Sequence, residues 1–145
     1  MDFDTALKKY KKIDNEIGYL NIERFAANKE QYASIESALQ NFINSKAIII
    51  DLRNSGGRDG EAVTHLLSYF LKLKKKAVLV GQTTAGAGFM VDAFELPFGF
   101  YFVNSIFSPF DYDNGEGWQG SGVIPDFTIS KVKAMDKALE IIKNK

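Results

Sequence analysis

The run Lys46-Ala-Ile-Ile-Ile-Asp-Leu52 constrains this chain more than any other stretch. An unbroken β-branched segment predicts a parallel strand buried on both faces, which needs covering elements above and below it. A tight turn, Arg53-Asn-Ser-Gly-Gly-Arg-Asp-Gly60, follows, then a helix from Glu61 to Leu73 and a second apolar run, Ala77 to Gly81. Strand, helix and strand over that length predict a βαβ unit, with 46–52 and 77–81 as parallel neighbours. Upstream, Ile17–Ile22 reads as a strand. Asn28–Phe42 reads as an amphipathic helix, with Tyr32, Ile35, Ala38, Leu39 and Phe42 at three-and-four spacing. Downstream, 89–96 and 100–106 flank Pro97-Phe98-Gly99 as a hairpin, and 132–143 closes the chain as a helix. Ala6, Leu7, Tyr10 and Ile13 suggest a short helix over Asp4–Lys12, so residues 1–16 are expected to be an N-terminal helical extension. With 145 residues, the expectation is one α/β domain over 1–145 with a mixed sheet.

Charge and cysteine content remove several classes of function. Eighteen basic residues balance eighteen acidic ones, so no basic surplus is available to hold nucleic acid. No cysteine is present, which excludes disulfides, thiolate metal sites and a cysteine nucleophile. The single histidine, His65, cannot form a two-histidine metal site, and its place between helical apolar residues gives it a structural reading. No apolar run approaches a membrane span, and Met1–Lys12 is charged without an apolar core, so no signal peptide is expected. No cofactor and no metal are expected.

Two glycine-bearing turns carry the chemical interest. Asn54-Ser55-Gly56-Gly57 joins a buried strand to a helix, where backbone amides can hold a phosphate or a developing oxyanion. The plain alternative is that any tight strand-to-helix turn favours glycine. The spacing does not meet a dinucleotide fingerprint. Gln82-Thr-Thr-Ala-Gly-Ala-Gly88 leaves the second strand where open α/β sheets place ligands, but it lacks the lysine of a phosphate loop. Its plain alternative is a flexible connector into the hairpin. Asp111–Gly122 begins like a calcium loop, yet Gly115 and Gly122 stand where ligands are needed.

Taken in order, Ile17-Gly-Tyr-Leu with Phe25, Ile49-Ile-Asp-Leu-Arg-Asn-Ser-Gly-Gly57, Val80-Gly-Gln-Thr-Thr-Ala-Gly86 and Gly122-Val-Ile-Pro-Asp126 resemble the tail-specific, or C-terminal processing, serine peptidases (peptidase family S41). The likeness is greatest to the retinol-binding-protein-like and tricorn-core branch. It implies a crotonase/ClpP-like α/β core, peptide-bond hydrolysis by a serine, and peptides or protein C-termini as partners. Bacterial relatives are often exported, and the compartment of this chain stays open. The resemblance carries the family's oxyanion-hole glycines over to Gly56 and Gly57.

Three departures bear on activity. The family places a strand and a nucleophile-bearing helix between the helix after the glycine pair and the next strand, whereas Leu66–Lys72 here runs almost directly into 77–81. Gln82 stands where the family has Glu, and a neutral amide cannot serve as a general base. Ala87 stands where the processing branch has its lysine base. No PDZ-like segment is read in these residues, and Ser68 lies mid-helix, matching no catalytic position. The resulting expectation is a peptidase-like domain impaired in catalysis, with non-catalytic peptide binding or scaffolding as the alternative. A hydrolase using Ser55 or Thr83 is the rival, and a small-ligand cleft lined by aromatics is a third possibility. Val63, Leu66, Leu67, Phe70 and Leu71 form an apolar stripe expected to drive homodimerisation.

Overall fold

The computed structural model describes residues 7–26, 28–56, 60–72, 77–107 and 117–144. It divides into two compact units, Met1–Ala77 with Ala138–Lys145, and Val78–Lys137. The architecture is α/β with a mixed sheet, as the sequence predicts.

The first unit is built on a three-stranded sheet in the order β1 (Leu7–Ile13), β2 (Ile17–Ile22), β3 (Ala47–Asp51). β1 and β2 are antiparallel, from Leu7 opposite Ile22 to Ile13 opposite Ile17. Of the segment expected to be an N-terminal helix, Leu7–Lys12 is therefore strand, and residues 1–6 lie outside the described residues. The cause lies in Asp14 and Asn15, which take φ of 51° and 58° and turn the chain back. Short polar side chains tolerate that left-handed region and favour a hairpin whose two central residues both have positive φ. Lysines 8, 9, 11 and 12 suit β1 to an edge, because charge discourages further strand pairing.

β2 and β3 are parallel and joined by α1 (Lys29–Asn41), so the βαβ unit lies one step earlier than expected. Asn28 caps α1 by accepting the Gln31 amide at 2.7 Å. The buried Gln31 side chain reaches back in turn, accepting from the Ala26 amide at 2.6 Å and donating to the Arg24 carbonyl at 2.9 Å. Leu20, Ile22, Phe25, Ile35, Ala38 and Phe42 form the core with Ala62 and Leu66 of α2 (Gly60–Lys72). β3 is half-buried along Ala47–Ile50 rather than enclosed on both faces; Ile48 and Ile50 pack against this core.

The 77–81 segment departs from expectation most. Ala77, Val78 and Leu79 are exposed, and only Val80–Gly81 forms a strand, β4. β4 pairs in parallel with β7 (Phe127–Thr128), so β3 and β4 lie in different sheets. Ladder bonds come instead from the 126–129 segment. Asp126 accepts the Leu79 amide at 2.7 Å, Phe127 N–H donates to Leu79, and Ile129 N–H donates to Gly81. The expected hairpin is present as antiparallel β5 (Met90–Glu95) and β6 (Tyr101–Phe107), and α3 (Ala134–Lys143) ends the described chain.

Candidate functional site

The carboxyl end of β3 is organised around Asp51, a carboxylate only 6% exposed. It accepts from Arg53 twice, at 2.9 Å from Nε and 2.7 Å from Nη2, and from the Tyr19 hydroxyl at 2.7 Å. The Arg53 backbone amide adds a bond of 3.1 Å, closing the turn onto the same side chain. These donors, Arg53 foremost, hold the Asp51 carboxyl at about 2, below its usual 3.8. Arg53 is held more firmly protonated by the same pairing, and Tyr19 is raised chiefly by burial. A buried charge needs such partners, since an unpaired carboxylate there would cost several kcal/mol.

That node sets the path of the glycine turn. Ser55 N–H donates to the Leu52 carbonyl and Gly56 N–H to the Glu23 carbonyl, both at 2.9 Å. The Gly56 amide is thus engaged with the chain just past β2, and a role for it toward an oxyanion requires that bond to open. A Cβ at Gly56 would meet nothing within 4 Å among the described residues. Gly57 lies outside the described residues. Ser55 Oγ is buried with no hydrogen-bond partner among the described residues, and Ser68 Oγ donates to the His65 carbonyl at 2.7 Å.

His65 stacks on Tyr32 at 4.2 Å and meets the edge of Tyr69 at 5.4 Å. Tyr69 donates to Glu36 at 2.6 Å, and His65 Nε2 lies 3.6 Å from the same carboxylate. Burial and the neighbouring carboxylate push Tyr69 up to about 12. This cluster joins α1 to α2 and supports the structural reading of His65.

In the second unit the 82–88 loop is docked rather than a loose connector. Gln119 Oε1 accepts the amides of Gly88 and Phe89 at 2.8 and 3.0 Å, and Gly120 N–H donates to Gly86 at 2.8 Å. Thr84 accepts Val123 N–H on its hydroxyl at 2.9 Å. Gly86 and Gly122 have φ of 75° and 74°, and a Cβ on either would strike backbone of the opposite loop. Two motifs far apart in sequence, 80–86 and 122–126, are therefore assembled as one structure. Gln82 and Ala87 are both exposed on it. Local periodicity marks neither Asp51 nor Tyr19 as a site residue; the available signal is an acid directly ending an apolar strand.

Among the described residues no group of His, Asp and Glu is placed to hold a metal ion, and no helix is long and apolar enough to cross a membrane. Residues 16–74 match peptidase family S41. A protein assigned as an S41 protease from Bacteroides fragilis NCTC 9343 superposes with a TM-score of 0.70 at 13% identity, over 97% of this chain and 58% of its own. The photosystem II D1 C-terminal processing protease superposes with a TM-score of 0.61 at 16% identity, over 80% of this chain and 43% of its own. No curated protein matches the sequence. The chain spans little more than half the length of the first of these structures and less of the second. In sequence over β2 to α2, and in fold over nearly its whole length, the chain is similar to peptidase family S41.

Proposed function

We propose that residues 1–145 form one S41-type serine-peptidase domain in which hydrolysis is absent or severely impaired. The observation that carries this reading is the connection after α2. Only residues 73–79 separate it from β4, too few for both a strand and a helix presenting a nucleophile. Two serines agree with this: Ser68 is bonded to its own helix, and Ser55 Oγ has no hydrogen-bond partner among the described residues. Gln82 and Ala87 supply neither a carboxylate nor an amine. The test is incubation with a fluorophosphonate probe, followed by intact-mass measurement. No adduct is expected; stoichiometric labelling at one serine would overturn the proposal and identify the nucleophile.

Peptide binding without cleavage is the second reading. Among the described residues β3 pairs only with β2, so its other edge is open to an extended peptide added as a strand. Titration with peptides ending in a free carboxylate, followed by amide shifts in Ala47–Asp51, tests it. Shifts confined to other elements, or none at saturating peptide, would reject it.

A further inference from the structure

The chain is neutral as a whole, yet β1, Leu-Lys-Lys-Tyr-Lys-Lys-Ile, holds four lysines in seven residues. No acid stands opposite them, since β2 reads Ile-Gly-Tyr-Leu-Asn-Ile. The hairpin's own carboxylates, Asp14 and Glu16, lie in its turn, and Glu16 is paired with Lys46 at 2.8 Å. Lys11 and Lys12 are exposed and enter no ion pair among the described residues. Lys11 lies on the face of Tyr19, its amine 5.7 Å from the ring centre. Tyr10 lies on the opposite face, where its ring meets Phe42 edge-on at 6.2 Å. Side chains alternate along a strand, so Lys12 shares the Tyr10 face. Two adjacent amines thus flank the edge from both sides.

β1 is also an open edge. It pairs only with β2 among the described residues, so its outer backbone groups can take a further strand. The register with β2 slips by one at Lys8 and runs unbroken from Lys9 to Ile13. Lysines at such an edge turn away neutral and basic strands. A second copy's β1 would bring two sets of four lysines together. The same charges draw an acidic strand in.

We infer that the outer edge of β1 takes an acidic peptide as an added strand, with carboxylates across from Lys9, Lys11 and Lys12 and a β-branched or aromatic residue across from Tyr10. Main-chain bonds hold such a strand whatever its sequence, and side chains along the edge select it. Opposite charges, and aromatic with β-branched residues, are the favourable cross-strand neighbours. The β3 edge lies at the other end of the sheet order, and the inference stands whether or not β3 takes a peptide. The stripe on α2 expected to drive dimerisation specifies less. There Leu66 is buried, Val63 and Phe70 pack on the core, and Leu67 alone among the described side chains of the stripe is exposed.

The test titrates the full chain with the end-blocked peptide Glu-Glu-Val-Glu-Glu, which reads the same in both strand directions, and with Gln-Gln-Val-Gln-Gln. Backbone amide shifts and hydrogen exchange are followed by NMR. The acidic peptide is expected to shift and slow amides within Lys9–Ile13 while leaving Ala47–Asp51 unmoved. The glutamine peptide should bind about tenfold more weakly, the combined scale of three exposed charge pairs. Added salt should narrow that gap. Lys11→Glu combined with Lys12→Glu should reverse the preference, taking Lys-Lys-Val-Lys-Lys over the acidic peptide with circular dichroism unchanged. The wild-type comparison decides even where that variant does not fold. Equal binding of the acidic and glutamine peptides, shifts confined to other elements, or binding without slowed exchange in β1 overturns the inference. So does equal displacement by an oligonucleotide of the same charge, which would mark a plain polyanion site.

Discussion

Gly18 shows how one missing methyl organises the first unit. It lies in β2 directly beneath Phe42, and a Cβ there would sit 2.5 Å from the ring carbon Cγ. Phe42 is itself buried, with no free side to move into. Gly18→Ala is therefore expected to destabilise the fold by about 2 kcal/mol, the usual scale of overpacking, visible as a lower midpoint in urea. Asp51 makes a second residue-scale prediction. Its carboxyl, depressed to about 2 from 3.8, contributes stability that is fully present above the unfolded value and is lost as pH falls through the folded one. Unfolding free energy should thus drop by about 2 kcal/mol between roughly pH 5 and pH 2 through this group. Asp51→Asn should remove that part of the acid dependence, as followed by urea melts at several pH values. An unchanged acid limb would show that other carboxylates govern it.

At the scale of elements, the docking of the 82–88 loop owes two of its hydrogen bonds to one side chain that no sequence pattern marks. Gln119 accepts two backbone amides, and its removal leaves both without that acceptor. Gln119→Ala should cost about 1–2 kcal/mol and specifically raise hydrogen exchange at Gly88 and Phe89. Equal exchange in the two proteins would mean the loop is held by its glycine and Thr84 contacts without Gln119. β2, α1, β3 and the hairpin were legible because their patterns come from local periodicity and capping. The N-terminal strand was not, because Leu7, Tyr10 and Ile13 fit a helical stripe while the deciding information sat in Asp14-Asn15. β4 is shorter than its apolar run for a related reason: Ala77–Leu79 are apolar, but only Val80 and Gly81 pair with β7. The glycine turn could be located from sequence. That its Gly56 amide already serves Glu23 depends on contacts from β2, which no local pattern reports.

At the scale of the molecule, stability is unevenly distributed between the two units. The buried apolar cluster of Leu20, Ile22, Phe25, Ile35, Ala38, Phe42, Ala62 and Leu66 lies wholly within the first. In the second, the described buried residues are Gly86, Gly88 and Ala134, which remove little apolar surface from water. Burial of that surface is the main source of folding free energy, so the hairpin should open by local fluctuations well below the cost of global unfolding. In dilute protein, amides of β5 and β6 are expected to exchange at least roughly thirtyfold faster than those paired between β2 and β3, a gap of about 2 kcal/mol. Native-state hydrogen exchange across the two units reads the difference. Uniform protection across the two units at low concentration would show that the second unit draws its stability from the first, and the graded picture would fail.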